Sequence, residues 1–99
     1  MAENLVYVDK ELKDLIPNFF QNRRDEIADI RNALAEHDLE TVEKIGHNIK
    51  GVGGGYGFDY VTELGANIEK AASEGDTLLL DQIVKELEEY LENVEIIYQ

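Results

Sequence analysis

Hydrophobic residues recur three or four positions apart along most of the chain, the pattern of helices with one apolar face. The clearest run is Val42, Ile45, Ile49, Val52 and Tyr56, with spacings of 3, 4, 3 and 4 residues. It predicts a helix that begins near Leu39 and turns these side chains toward a core.

The residues before this run predict two helical segments. Asp9 is expected to cap a short lead helix, which Pro17 must bend or restart because proline lacks an amide donor. A longer helix then runs to about Glu36, and its last turn holds His37, whose imidazole would complement the helix dipole. The side chains expected to face inward are Phe19 or Phe20, Ile27, Ile30 and Leu34.

Two more helices follow the central one. A turn over residues 57–59 precedes the third helix, which Asp59 is expected to cap and Gly75 to end. Asp76 or Thr77 then caps a fourth helix. The residues expected to face inward are Val61, Leu64, Ile68 and Ala71 or Ala72 in the third helix, and Leu80, Ile83, Val84, Leu87, Leu91 and Val94 in the fourth.

These elements predict an all-α fold, an antiparallel up-down-up-down four-helix bundle with a short N-terminal lead helix. Residues 1–8 are expected to form an extended lead-in, and no strand-like alternation of useful length follows. At 99 residues, the chain is expected to form a single domain over residues 1–99.

The charge limits the partners. The chain has 22 acidic and 9 basic residues and a net charge of −13, which opposes binding to nucleic acid or to an anionic membrane. There is no cysteine, which excludes disulfides and zinc-thiolate sites. The N-terminus lacks the features of a signal peptide, and no apolar run is long enough to cross a bilayer. The expected location is the cytoplasm.

His47 is the candidate for chemistry, because its position predicts that it faces solvent. It lies two residues from both Ile45 and Ile49, so it points nearly opposite the apolar stripe. The residues expected to share its outward face are Glu43, Lys50, Gly51 and Gly54.

Glycines crowd the same region. Six of the eight glycines lie between positions 46 and 57, and each costs about 0.8–1.0 kcal/mol in a helix interior relative to alanine. One interpretation is that the chain forms a loop after Lys50. The other is that missing side chains beside His47 let another protein reach it, and the continuing stripe of Val52 and Tyr56 favours this one.

Other chemistries fit poorly. The Walker pattern and the GxGxxG pattern are both missing, since Lys50 precedes the glycines and no strand leads into them. A di-metal carboxylate site needs Glu-x-x-His pairs, but Lys44 and Leu34 stand three residues before the two histidines. No metal site is therefore expected, and the serine and threonine residues are expected to cap helices or lie on the surface.

The segment His47-Asn48-Ile49-Lys50-Gly51, with small residues at 53–55 and glycine at 57, resembles the histidine-containing phosphotransfer (HPt) domain family. The family pattern has an apolar residue at +2 from the histidine, lysine at +3, glycine at +4, small residues near +6 and +7, and glycine at +10, and every position matches. The resemblance extends from residues 15–24 to residues 64–72. Gly53 and Gly54 replace the usual serine or alanine, and Glu69 stands where many members have glutamine.

The resemblance implies that His47 accepts a phosphoryl group, that Glu69 orients the imidazole and that Lys50 supports the phosphoryl group. It implies a response-regulator receiver domain as partner, which supplies the aspartate and the Mg²⁺, and a sensor or hybrid histidine kinase. It implies no cofactor on this chain. The surface expected to admit the partner consists of Gly51, Gly54 and Glu43, with Leu12 and Ile16 as docking candidates and Gly57 as the structural glycine of the motif.

The sequence thus predicts a monomeric phosphocarrier of a phosphorelay, without autokinase activity. Two alternatives stay open. The chain could be a non-phosphorylated helical adaptor that uses the same glycine-rich face for docking. It could also be the excised phosphoacceptor domain of a larger sensor or chemotaxis-type kinase.

Overall fold

The computed structural model describes residues 5–99, and most of them lie in four α-helices. The predicted number of α-helices is confirmed, and the helix that carries His47 begins at Leu39 as expected. The helices are α1 (Ile16–Ala35), α2 (Leu39–Gly53), α3 (Asp59–Ser73) and α4 (Thr77–Asn93). A short 3-10 helix, Gly54–Tyr56, follows α2.

The N-terminal region differs from the expected lead helix. It begins with a strand, β1 (Leu5–Val8), and continues as a 3-10 helix over Lys10–Leu15. The extended lead-in is confirmed for residues 5–8, whereas residues 1–4 lie outside the described part of the chain. Asp9 does cap the 3-10 helix, since its carboxylate accepts a hydrogen bond of 2.9 Å from the Glu11 amide.

A second strand, β2 (Glu95–Tyr98), follows α4 and pairs with β1 in parallel. The prediction that no strand follows the extended lead-in is therefore wrong at the C-terminal end of the chain. Each strand has only four residues, too few for an alternating pattern to stand out from the helical one. The pairing becomes visible only when α1–α4 bring the two ends of the chain together.

The core forms where the inward stripes of the four helices meet. The inward residues predicted for α3 are all buried, and those predicted for α4 are buried except for Val94, which is half-buried. In α1 the core includes Phe19, Ile27 and Ile30, but Ala33 is buried while Leu34 is only partly covered.

Helix ends agree with the sequence prediction at the end of α3 and the start of α4, and differ at the end of α1 and the start of α3. The Asp76 carboxylate caps α4 by accepting a hydrogen bond of 3.1 Å from the Leu79 amide, and Gly75 follows α3 with a φ of 72°. Asp59 is the first residue of α3 rather than its cap, a position held by Phe58. His37 lies just beyond α1, not in its last turn, with a left-handed φ of 56°.

Helices α2 and α3 pack with their backbones almost in contact, because glycines line the seam between them. A Cβ atom added at Gly46 would stand 2.7 Å from the amide nitrogen of Glu69, and one at Gly65 would stand 2.4 Å from that of Lys50. At Gly53 it would stand 2.6 Å from the Thr62 hydroxyl. These separations are too short for any side chain, so glycine is what lets the two helices approach.

Candidate functional site

His47 projects from the outer face of α2, and 69% of its side chain is exposed. Lys50, Gly51 and Gly54 are exposed on the same part of the surface, whereas Glu43 is partly buried. The helix phase inferred from the sequence is therefore confirmed for His47. The imidazole ring is therefore open to solvent.

The imidazole is held from the neighbouring helix. Its Nδ1 lies 3.0 Å from Oε2 of Glu69 on α3. The other carboxylate oxygen, Oε1, accepts a hydrogen bond of 3.2 Å from Nζ of Lys50, one turn beyond His47 on α2. One carboxylate thus joins the histidine and the lysine, and the close packing of α2 on α3 makes this geometry possible.

The charges around Glu69 keep its carboxyl group ionised. The hydrogen bond from Lys50, and after it the weaker contribution of His47, lowers the pKa of Glu69 below its ordinary value despite partial desolvation. An ionised carboxylate can only accept hydrogen bonds, so the proton shared with His47 belongs to Nδ1. In a neutral ring the exposed Nε2 then carries the free lone pair.

A cleft of about 350 Å³ opens beside the histidine. Its wall includes an exposed ion pair in α2, in which Nζ of Lys44 lies 3.3 Å from Oε1 of Glu40. The other residues of the wall are Glu43, His47 and Glu69.

The glycines fall into two sets. Gly46, Gly53 and Gly65 belong to the seam between α2 and α3, whereas a Cβ at Gly51 would meet no atom within 4 Å. At Gly54 a Cβ would lie 3.6 Å from the Thr62 hydroxyl, an ordinary contact. We call Gly46, Gly53 and Gly65 the seam set, and Gly51 and Gly54 the exposed set. The interpretation that glycines clear the surface beside His47 therefore fits only the exposed set.

The loop expected after Lys50 under the other interpretation is not formed. Helix α2 continues to Gly53, and the chain then passes directly into the 3-10 helix. Gly57 ends that helix with a φ of 87°, a left-handed conformation that a side chain would strain. The need for glycine at position 57 is thus conformational.

One docking candidate is ruled out by burial. Ile16 is only 4% exposed and belongs to the core, so it cannot contact a partner. Leu12 is partly buried. The exposed apolar residue at this end of α1 is instead Leu15, with 49% of its surface open.

The sequence interpretation missed a polar cluster beside the site. Arg23 is buried in α1, with 5% exposure, and pairs with Glu26, which in turn binds Asn48 of α2. A signal was available, because Arg23 lies four residues from both Phe19 and Ile27 and therefore falls within their inward stripe.

Among residues 5–99, no group of histidine and acidic side chains could hold a metal ion. Within the same range, no helix is both long enough and apolar enough to cross a membrane.

Comparison with protein families gives a match to the Hpt domain over residues 14–96. The matched region begins before α1 and ends within β2, so it contains all four helices and His47, Lys50 and Glu69, whereas Leu12 lies outside it. Comparisons with curated proteins and with solved structures gave no significant match.

Proposed function

Because the chain belongs to the Hpt domain family, whose members carry out histidine phosphotransfer in phosphorelays, we propose that His47 is the residue that carries the phosphoryl group. The phosphoryl group would come from, or go to, the aspartate of a response-regulator receiver domain. The observation that carries this proposal is the contact of 3.0 Å between Nδ1 of the exposed His47 and the Glu69 carboxylate.

The contact assigns a role to each ring nitrogen. With the proton of Nδ1 held by Glu69, the lone pair of Nε2 points to solvent and attacks phosphorus. A bond forms between Nε2 and phosphorus, and the bond between phosphorus and the aspartate oxygen breaks, which returns the aspartate as a free carboxylate. The ring keeps its Nδ1 proton and becomes positively charged, and the Glu69 carboxylate stabilises that charge.

Lys50 contributes the positive charge nearest to the incoming group. Its Nζ lies one helical turn from His47 and binds Glu69 in the unphosphorylated protein. The ammonium group can turn toward the phosphoryl oxygens while Glu69 keeps its contact with His47. Gly51 and Gly54 leave the surface beside His47 low enough for the receiver loops, and Glu43 borders the cleft.

Hpt domains are phosphocarriers without a cofactor of their own. In-line phosphoryl transfer needs a divalent cation or similar charge to neutralise the equatorial oxygens. We assign the Mg²⁺ to the receiver domain, with a sensor or hybrid histidine kinase at the other end of the relay. The chain itself would have no autokinase activity.

The proposal also covers the domain organisation, location, oligomeric state and helix order of the chain. The chain would be a single cytoplasmic domain and a monomer, with its helices in up-down-up-down order. Two contacts of α1 support this order: Glu26 binds Asn48 of α2, and the rings of Phe19 and of Tyr56, in the 3-10 helix after α2, lie 4.6 Å apart. An early residue of α1 thus contacts a late part of the α2 region, and a later residue of α1 contacts an earlier residue of α2. This order supports an antiparallel arrangement of the two helices.

Phosphoryl transfer from a panel of ³²P-labelled receivers tests the function. The wild-type protein should take up label that is labile in acid and stable in alkali, and His47→Gln should take up none. His37→Gln is the matched control, because His37 is also exposed but lies outside the site. Binding without label would favour the adaptor, and label on His47→Gln would show that another residue is the acceptor.

A further inference from the structure

Arg23 is the one charged residue of the described part of the chain that lies in the core, with 5% exposure. Its Nε donates a hydrogen bond to Oε1 of Glu26, one turn further along α1. The guanidinium carbon lies 4.8 Å from the centre of the Phe19 ring. A buried cation requires a paired carboxylate, so Arg23 fixes the position of the Glu26 side chain.

Glu26 uses its second oxygen to reach the next helix. Oε2 accepts a hydrogen bond from Nδ2 of Asn48, the residue that follows His47 in α2. Among residues 5–99, this is the one side-chain hydrogen bond between α1 and α2. The Glu26 carboxylate thus pairs with the buried Arg23 through one oxygen and binds the Asn48 side chain, next to His47, through the other.

The Glu26–Asn48 hydrogen bond joins α2 to α1, whereas the His47–Glu69 contact joins α2 to α3. Helix α2 is already fixed to α3 through Gly46, Gly53 and Gly65, which bring the two backbones together. The contact of α1 with α2 has no comparable backbone approach at any glycine of α2. Together with the ring contacts of Phe19 with Tyr56 and Phe58, the Glu26–Asn48 bond therefore acts on where α1 lies relative to α2 and α3 rather than on where His47 lies.

The surface of α1 that this bond positions is exposed. Leu15, Asn18 and Asn22 follow the same stripe of α1 as Glu26, at intervals of three or four residues, and all three are exposed. We call them the α1 flank. The contact of Phe19 with Tyr56 places this end of α1 beside the end of α2 that carries the exposed glycines.

We infer that Glu26 and Asn48 are positioning residues for docking, which hold the α1 flank at a fixed place beside His47 so that one receiver domain meets both. This inference rests on the proposed function. It requires that loss of the bond weakens capture of the receiver, while the chemistry at His47 stays intact.

Asn48→Ala breaks the bond and leaves the pair of Arg23 and Glu26 in place. The rate of phosphoryl uptake is measured against the concentration of the labelled receiver that transfers best to the wild type. The concentration for half-maximal rate should rise about three- to ten-fold, less than the roughly ten-fold or more that one hydrogen bond to a charged group represents, because the bond acts on the receiver only through the position of α1. The limiting rate should change by less than about two-fold.

Two comparisons separate positioning from other roles. Labelling by phosphoramidate, a small donor that needs no docking surface, should be equal in wild type and Asn48→Ala. The control variant is Tyr60→Phe, which removes one hydrogen bond of 3.1 Å between α3 and α4 and should leave both measurements unchanged. Slower labelling of Asn48→Ala by phosphoramidate would overturn the inference, since Asn48 would then act on His47 itself.

A double-mutant cycle tests whether the two residues act together. Glu26→Gln alone also weakens the pair with Arg23, so the cycle compares Asn48→Ala in the wild-type and the Glu26→Gln backgrounds. If Asn48 works through Glu26, adding Asn48→Ala to Glu26→Gln should not raise the half-maximal concentration further. Additive effects would overturn the inference, because Asn48 would then contact the receiver directly. An unchanged half-maximal concentration in Asn48→Ala would overturn it as well.

Failure of the proposed function has a different outcome. In that case the wild type takes up no label from any receiver, and the positioning role fails with it. If the wild type is labelled and the Asn48→Ala variant is indistinguishable from it, only the positioning role is wrong.

Discussion

Gly46 on α2 lies directly against the backbone of Glu69 on α3, at a distance that leaves no space for a side chain. A Cβ atom at position 46 would stand 2.7 Å from the Glu69 amide nitrogen and 2.8 Å from a methyl carbon of Ile68. Gly46 immediately precedes His47, and Glu69 holds the ring of His47. The close approach of the two backbones is therefore what brings the carboxylate within reach of the imidazole.

Gly46→Ala should destabilise the fold even though alanine favours helices. The added carbon must push α3 away, which typically costs about 1–3 kcal/mol and exceeds the gain of about 1 kcal/mol in helix propensity. The difference gives an expected net loss of up to about 2 kcal/mol in the free energy of unfolding. Urea unfolding followed by circular dichroism measures this loss.

Gly51→Ala is the matched control, because a Cβ at position 51 meets no atom within 4 Å. It should raise the free energy of unfolding by up to about 1 kcal/mol. Equal effects of the two substitutions would contradict the division of the glycines into a seam set and an exposed set.

That division shows where sequence reasoning reached its limit. The 3/4 stripe located His47 on the outer face, and the family pattern identified Glu69 and Lys50 as its companions. The same stripe gave no sign that Gly46 and Gly53 face α3, because their role depends on how closely another helix approaches. The interpretation that glycines clear the surface beside His47 stays a prediction for Gly51 and Gly54, and it is wrong for Gly46 and Gly53, which are buried against α3.

Two other features depended on long-range contacts. Arginine is rarely buried without a partner, and the partner of Arg23, Glu26, is evident only with α1 formed. The strands β1 and β2 are too short to be recognised alone and pair from opposite ends of the chain. The helices, by contrast, follow from local periodicity, which is why their positions were predicted well.

Glu69 should make the stability of the protein depend on pH in the acid range. Its pKa is lowered in the folded state, so its stabilising contribution is complete above the ordinary glutamate pKa of about 4.3 and is lost as the pH falls through the lowered value. Between pH 5 and pH 3, roughly the range of that titration, wild type should lose more stability than Glu69→Gln.

The measurement is the urea midpoint of both proteins across that range. Glu89→Gln serves as the control, since among residues 5–99 its carboxylate has no hydrogen bond or ion pair. The urea midpoint of Glu89→Gln should change with pH as that of the wild type does. Parallel curves for wild type and Glu69→Gln would mean that the bond to Lys50 contributes nothing to the folded state.

Lys50→Ala should slow phosphoryl transfer without preventing it. The substitution removes the positive charge one turn from His47 but leaves the ring and its contact with Glu69 in place. We expect a decrease of about ten-fold in the limiting rate, which corresponds to about 1.4 kcal/mol. Rapid-quench measurements of transfer from a labelled receiver would detect it.

Lys44→Ala is the control for loss of a lysine from the same face. Nζ of Lys44 binds Glu40 rather than Glu69. An equal decrease in both variants would point to a general effect of surface charge, and no decrease in Lys50→Ala would remove Lys50 from the mechanism.

Gly54→Leu should block the receiver while leaving the fold intact. A Cβ at position 54 makes only an ordinary contact with Thr62, so the leucine side chain extends over the open surface near His47. We expect circular dichroism to show unchanged or increased helicity and transfer from the receiver to fall at least about ten-fold. Labelling by phosphoramidate should persist.

Glu89→Leu places the same side chain on the exposed surface of α4, which packs against α1 and α3, and should transfer normally. Normal transfer by Gly54→Leu would show that the exposed glycines do not serve partner access.

The most direct measurement is nuclear magnetic resonance of the phosphorylated protein with ¹⁵N-labelled histidine. We expect the ³¹P signal to couple to Nε2 of His47, with the proton retained on Nδ1 toward Glu69. Coupling to Nδ1, or a phosphoryl group on His37 or on any other residue, would contradict the assignment of His47 as a phosphoacceptor oriented by Glu69.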